Sequence, residues 1–364
     1  MNTANWHLLW AYLAEVSDTM HMADALLSPA VGGAFWAGTA VTIGYASKKL
    51  SKDIDDHKIP LMGGVGAFIF ASQMINFTIP GTGSSGHLAG GMILAILLGP
   101  HAAFLVMASV LTVQALFFAD GGLLALGCNI WNLGIYPCYI AYPLIYKPLA
   151  GDASNPRRVF AAALASAVIG LQLGAFSVVF QTFLSGKSEL PFGTFLLLMQ
   201  PIHLAIGIVE GIVTAGVARY VYAVRPDIIE FRKPCDAPPK SAYLKNILVG
   251  FVIMAAVMGG ALSWFASAYP DGLEWSIEKI TGKTQLPEAE RGITATLQGL
   301  QEKTALLPDY DFKSAEEEAA NAEKSASWPA VNAGSTVSGL LGAAMVLALS
   351  FGAGRMIRGL RKPG

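Results

Sequence analysis

Six histidines, at positions 7, 21, 57, 87, 101 and 203, are the residues of this chain best suited to hold a transition metal or move a proton near neutral pH. His21 follows Met20 directly, and His87 closes the run Gly81-Thr82-Gly83-Ser84-Ser85-Gly86. If translation begins at Met20, its free amine, the amide nitrogen of His21 and the His21 imidazole form two fused chelate rings around one metal. The imidazole of His87 would then close a four-nitrogen plane. Square-planar nitrogen coordination selects nickel(II) or copper(II) over magnesium, calcium or tetrahedral zinc. The set requires a free amine, so residues 1–19 are expected to be an extension from an upstream start; they lack the basic segment and cleavage site of a signal peptide. The competing expectation is a genuine interfacial helix that blocks the amine. In that case His21 and His87 would need His7 or Asp24 beside them.

Other groups qualify or exclude chemistries. His203 and Glu210 are seven apart and share one helix face. Ionisable groups in a membrane span face the bundle interior, so the two are expected as a hydrogen-bonded pair or as support for a nearby ligand, ahead of direct ligation. Gly81 through Gly86 imitates a GxxxxGK phosphate loop but offers a histidine in place of the lysine and links apolar helices. Any ATP hydrolysis therefore belongs to a separate subunit. Cys128, Cys138 and Cys235 form no CxxC pair, which leaves nitrogen and oxygen as the available ligands.

The elements that must position these groups are apolar helices. With 54% hydrophobic and 13% charged residues against about a quarter charged in soluble domains, the chain is an all-α polytopic membrane protein. Net charge of −1 gives nucleic acid no electrostatic hold. Apolar runs fall at 30–47, 60–79, 88–99, 101–118, 122–146, 159–184, 194–222, 244–268 and 331–354. The third and fourth are divided by Gly99-Pro100, and the third is too short to cross a bilayer by itself. Seven helices form a core at 20–224, a proline-rich linker spans 225–243, and two more helices make a C-terminal module at 244–364.

Basic residues cluster at 48–58, 147–158, 219–245 and 355–362, all on one side of a nine-helix count. The positive-inside rule makes that side cytoplasmic, together with the C-terminus. His57 and His101 then face inward, while His21 and His87 meet at the outer mouth. The stretch 269–330 is also outside, with twelve acids against six bases between Asp271 and Lys324. Its Glu316-Glu317-Glu318 run fits a solvated face, and a metal-attracting lobe is the minority alternative. Removing this loop is expected to spare binding by the core and to impair loading or coupling.

Several blocks resemble one family. Met20-His21-Met22-Ala23-Asp24-Ala25-Leu26-Leu27-Ser28-Pro29 is similar to the MHIxDGFLxP opening of the CbiM/NikM family, the substrate-binding components of energy-coupling factor transporters for cobalt and nickel. Gly83-Ser84-Ser85-Gly86-His87-Leu88, Leu98-Gly99-Pro100, the block from Gln114 to Gly122 and that from His203 to Gly211 resemble its later motifs. Pro270-Asp271-Gly272-Leu273-Glu274 resembles the PDGLE signature of a small subunit often fused to it. The resemblance implies a metal held by the Met20 amine, the His21 amide and imidazole, and the His87 imidazole. It further implies a transmembrane coupling protein and ATPase subunits as partners. The extension and Ala25, where glycine is usual, depart from the pattern.

Around that ligand set, Asp24, Asp120, Asn129, Asn132, His203 and Glu210 are the expected supporting groups. Gly207 with Gly211, Ala34 with Gly38 and Ala40 with Gly44 are small-residue pairs that suit helix packing or a docking face for the coupling protein. The expected function is capture of nickel(II) or cobalt(II), with a slight tilt to nickel, in the inner membrane and without a resident cofactor. A secondary carrier would need an internal repeat and midplane charges. A membrane enzyme using His203 and Glu210 would need a nucleophile that no motif supplies.

Overall fold

The computed structural model describes residues 21–54, 57–224, 241–287, 291–312 and 329–360. The expectations placed on Met20, residues 1–19 with His7, most of the linker and the Glu316 run lie outside the described residues.

Among the described residues eleven helices run in the order α1 (Pro29–Asp53), α2 (Lys58–Gln73), α3 (Gly91–Leu98), α4 (Pro100–Phe117), the composite α5, α6 (Pro156–Leu184), α7 (Phe192–Val224), α8 (Ser241–Gly260), α9 (Gly272–Thr281), α10 (Ile293–Thr304) and α11 (Ala333–Gly359). Local chemistry sets where several begin. Ser28 accepts from Val31 N–H ahead of Pro29, and Asn155 accepts from Arg157 and Arg158 N–H ahead of Pro156. A side-chain acceptor followed by proline satisfies the otherwise unpaired first-turn donors. Gly99, at φ +77°, ends α3, and Pro100 opens α4. The nine expected apolar segments correspond to α1 through α8 and α11.

Four of the described helices, α4, α6, α7 and α11, are long and apolar enough to cross a membrane. On α6, Phe160, Ile169, Phe176, Phe180 and Phe183 point outward while Gly170 and Gly174 are buried. An outward phenylalanine face of this size suits hydrocarbon, where helices are stable because each bonds its own backbone. The chain is a multi-pass α-helical membrane protein. The inward side of α6 meets α7, where a Cβ on Gly207 or Gly211 would come within 2.9 Å of the Val168 Cα or 2.6 Å of the Leu164 Cα. That glycine pair serves packing within the chain. At the centre lies α2, buried at every residue from Leu61 to Gln73 and packed against α4, α8 and α11. The last two belong to the C-terminal module, so the module shares the core.

Three stretches differ from the sequence expectation. The second helix ends at Gln73 because β1 (Phe77–Ile79) pairs antiparallel with β2 (Ser84–Gly86), placing Phe77 opposite Gly86. The single helix expected at 122–146 is composite. It starts as Leu126–Ile130, widens into π-helical bonding over Trp131–Tyr146 and finishes as Lys147–Ala150. Pro137 and Pro143 lie inside it, and each removes an N–H and crowds the preceding turn, which disfavours the tighter α ladder. The eighth helix stops at Gly260, followed by a 3-10 turn at Leu262–Phe265. The described part of 269–330, finally, carries α9, α10 and a 3-10 turn at Pro308–Tyr310.

Candidate metal centre

His21 lies ahead of a short 3-10 turn, Asp24–Leu26, whose three residues are buried. The chain here is fastened to the loop before α5. Met22 N–H donates to Asn129 Oδ1 at 3.2 Å, Asn129 Nδ2 donates to Met22 O at 3.1 Å, and Gly122 N–H donates to the same oxygen at 3.1 Å. Asp24 Oδ1 accepts from Ala125 N–H at 2.8 Å. Burial pushes the Asp24 carboxyl above the usual carboxylate range, against the pull of the Ala125 and Leu124 N–H groups. Gly121, at φ +79°, makes this close approach possible, since a Cβ there would lie 2.8 Å from the His21 Cβ.

His87 follows the β-hairpin. Two residues on, Ala89 N–H donates to Glu210 Oε2 at 2.8 Å, which ties the hairpin's exit to α7. The rings of His21 and His87 face each other at 5.7 Å between centroids, inclined by 76°. Both line a cavity of about 90 Å³ together with Asn129, Asn132, His203 and Asp271.

A chain of amides sets the tautomer of His21. Its Nε2 is 3.0 Å from Gln114 Oε1, Gln114 Nε2 donates to Gln73 Oε1 at 2.9 Å, and Gln73 Nε2 donates to Ala89 O at 2.9 Å. A backbone carbonyl only accepts, so the amides line up and Gln114 presents oxygen to His21. The imidazole proton is then on Nε2, and the lone pair is on Nδ1, the nitrogen that closes a chelate ring with the residue's own amide. In His87 the Nδ1 is 3.2 Å from Leu88 O, a bond that needs a proton on Nδ1 and leaves the lone pair on Nε2.

The other expected groups take distinct places. Asp120 Oδ2 lies 3.9 Å from His21 Nε2. Asn132 and Gln181 exchange two hydrogen bonds of 2.9 Å, so Asn132 braces α5 against α6 at the cavity wall. His203 and Glu210 are not a pair. His203 Nδ1 bonds Met199 O at 2.8 Å within its own helix and faces the cavity, whereas Glu210 holds Ala89 in the layer beneath. Among the described residues no three His, Cys, Asp or Glu side chains come together as a metal cluster. The two imidazoles supply two of the donors that a metal would need.

Sequence reading missed two kinds of participant. Gln73 and Gln114 were visible as lone amides on otherwise apolar helices, a pattern that signals an interior partner. The roof of the cavity is made by Asp271, Gly272 and Leu273 of the PDGLE block, a visible motif that gave no sign of meeting His21 and His87. Pro270 O accepts from Ser85 N–H at 2.8 Å, Tyr269 O from Ser85 Oγ at 2.7 Å, and Thr82 O from Trp275 Nε1 at 3.1 Å. Asp271 meanwhile caps α9 by accepting from Leu273 and Glu274 N–H. Asp271, Gly272 and Leu273 of the C-terminal module thus form one wall of the cavity.

Residues 21–228 match the family described as cobalt uptake substrate-specific transmembrane region, and residues 245–359 match the PDGLE domain. A putative metal transport protein of Haloquadratum walsbyi is 40% identical over 58% of this chain and 93% of its own length. A putative fused nickel transport protein, NikMN, of Archaeoglobus fulgidus is 33% identical over 93% of this chain and 99% of its own. A crystal structure of a transition metal transporter superposes with a TM-score of 0.51 at 28% identity, covering 57% of this chain and 95% of the other. The chain belongs to the CbiM family of cobalt uptake substrate-specific transmembrane regions, with a PDGLE domain joined behind its transporter core.

Proposed function

We propose that this chain captures nickel(II) or cobalt(II) at the outer face of the inner membrane and hands it inward as the substrate-specific part of an ATP-driven uptake complex. The observation that carries this is the pairing of His21 and His87 at one cavity, with the lone pairs assigned to His21 Nδ1 and His87 Nε2 by their hydrogen bonds. The amide of His21 and the amine of Met20 are the donors that would complete a four-nitrogen plane, a geometry favourable to nickel. The Archaeoglobus relative, named for nickel transport and matched nearly end to end, supports the same substrate class. Basic residues in the connections at 48–58 and 147–158 and after α11 support a cytoplasmic C-terminus and an outward site.

The chain supplies binding and orientation, and the driving force comes from a transmembrane coupling protein with ATPase subunits. His87→Ala removes one ligand from a loop without disturbing a lipid-facing surface. It should abolish nickel and cobalt binding by the purified chain beginning at Met20 while its unfolding temperature stays near that of the parent. Retention of parental affinity by this variant would eliminate the site. Uptake that persists in cells lacking the ATPase subunits would instead assign the chain to the secondary carriers.

A further inference from the structure

We infer that Tyr310, in the C-terminal module, is a positioning residue for the metal site, its hydroxyl holding the Asp120 carboxylate against the back of the His21 ring. The inference rests on the assignment of His21 as a ligand under Proposed function and adds a residue to that site.

Tyr310 Oη donates to Asp120 Oδ2 at 2.6 Å, and the same oxygen lies 3.9 Å from His21 Nε2. All three side chains are buried. Asp120 Oδ1 has no hydrogen-bond partner among the described residues, so the tyrosine hydroxyl is what fixes the rotation of the carboxylate. Burial and then the Asp120 charge hold the Tyr310 phenol well above its ordinary range, which keeps it a donor. Gln114 takes the Nε2 hydrogen bond, and the Asp120 carboxylate at 3.9 Å acts through its charge, which raises the basicity of the ligating ring.

The module delivers this hydroxyl through a strained, well-anchored turn. Asp309 and Tyr310 have φ of 48° and 60°, a left-handed pair without glycine, a conformation that L side chains disfavour. Such a conformation persists where the surroundings over-determine it, and here they do. Leu306 and Leu307 N–H donate to Phe117 O, and Asp309 N–H donates to Phe118 O at 2.9 Å. Gln301 Nε2 donates to both Ala115 O and Gly121 O, at 2.8 and 2.7 Å. The C-terminal carbonyls of α4 and the turn bearing Asp120 are therefore capped by the module. Packing alone does not account for the hydroxyl, because the ring is already stacked on Phe118 at 5.0 Å and 14°.

Tyr310→Phe keeps the stack and removes the donor. In the chain beginning at Met20, held in detergent, nickel(II) titration should show an affinity about tenfold weaker than the parent. The ligand-field absorption of bound nickel should shift, while the metal-free unfolding temperature stays within a few degrees. Because the hydroxyl acts through Asp120, Asp120→Asn combined with Tyr310→Phe should bind no more weakly than Asp120→Asn alone. Phe118→Leu, which loosens the stack but keeps the hydroxyl, should lower the unfolding temperature and leave the ligand-field band in place. Affinity within twofold of the parent for Tyr310→Phe, full multiplication of the two single losses, or the same band shift in Phe118→Leu would each overturn the inference. A parent chain that binds neither nickel nor cobalt would remove the His21 assignment and this inference with it. A parent that binds with Tyr310→Phe unaffected removes the inference alone.

Discussion

The side-chain amide of Gln73 donates to the carbonyl oxygen of Ala89 at 2.9 Å, and this bond sets the direction of every hydrogen bond between it and His21. It also links the two halves of the candidate site, since Ala89 belongs to the His87 segment and Gln114 carries the relay on to His21.

Gln114→Leu interrupts that relay at its centre. It removes the acceptor for His21 Nε2 and strands Gln73 Oε1 in the interior. Leaving a buried polar atom unsatisfied costs about 1–3 kcal/mol, and losing a ligand's hydrogen-bond partner costs about 10–100-fold in metal affinity. A lower unfolding temperature together with nickel affinity at least tenfold weaker is the expected outcome. Parental affinity in the folded variant would show that the His21 tautomer is set elsewhere.

Glu210 distinguishes support from ligation. Its Oε2 accepts from Ala89 N–H, a role that an amide oxygen can also fill. Glu210→Gln should therefore retain most of the metal affinity. Glu210→Leu leaves the Ala89 donor buried without its acceptor and should loosen the His87 segment, at a cost of about 1–3 kcal/mol in stability. Titration of both variants with nickel checks this. Equal and complete loss of binding in the two would mean that the carboxylate's charge is required at the metal.

The amine at Met20 makes the sharpest demand on the ligand set. A peptide bond converts that amine to an amide, a poor donor until it loses its proton. One residue added directly before Met20, in a form that otherwise begins there, should cost far more affinity than its size suggests. Replacing Met20 by another residue that keeps the amine should cost little. Mass spectrometry of the protein from its own membrane, paired with a nickel titration, gives the direct measure. Tight binding by a form with residue 1 intact would demand another donor in place of the amine.

Hydrophobic runs, a proline behind a glycine and clusters of lysine and arginine are local properties. For that reason the nine apolar helices, the Gly99-Pro100 break and the membrane class were legible in the sequence by itself. The approach of His21 to His87 was legible too, because the Met20-His21 pair and a glycine-rich loop ending in histidine are short motifs. What only the tertiary structure decided lies between segments far apart in the chain. Gln73 and Gln114 are separated by 41 residues, and each is an isolated polar group until α2 and α4 pack together. Tyr310 is 190 residues from Asp120. No periodicity or spacing connects such groups. Their partners exist only because burial in an apolar bundle makes an unpaired amide or carboxylate costly, and the fold that buries them also determines which distant donor is near enough to answer.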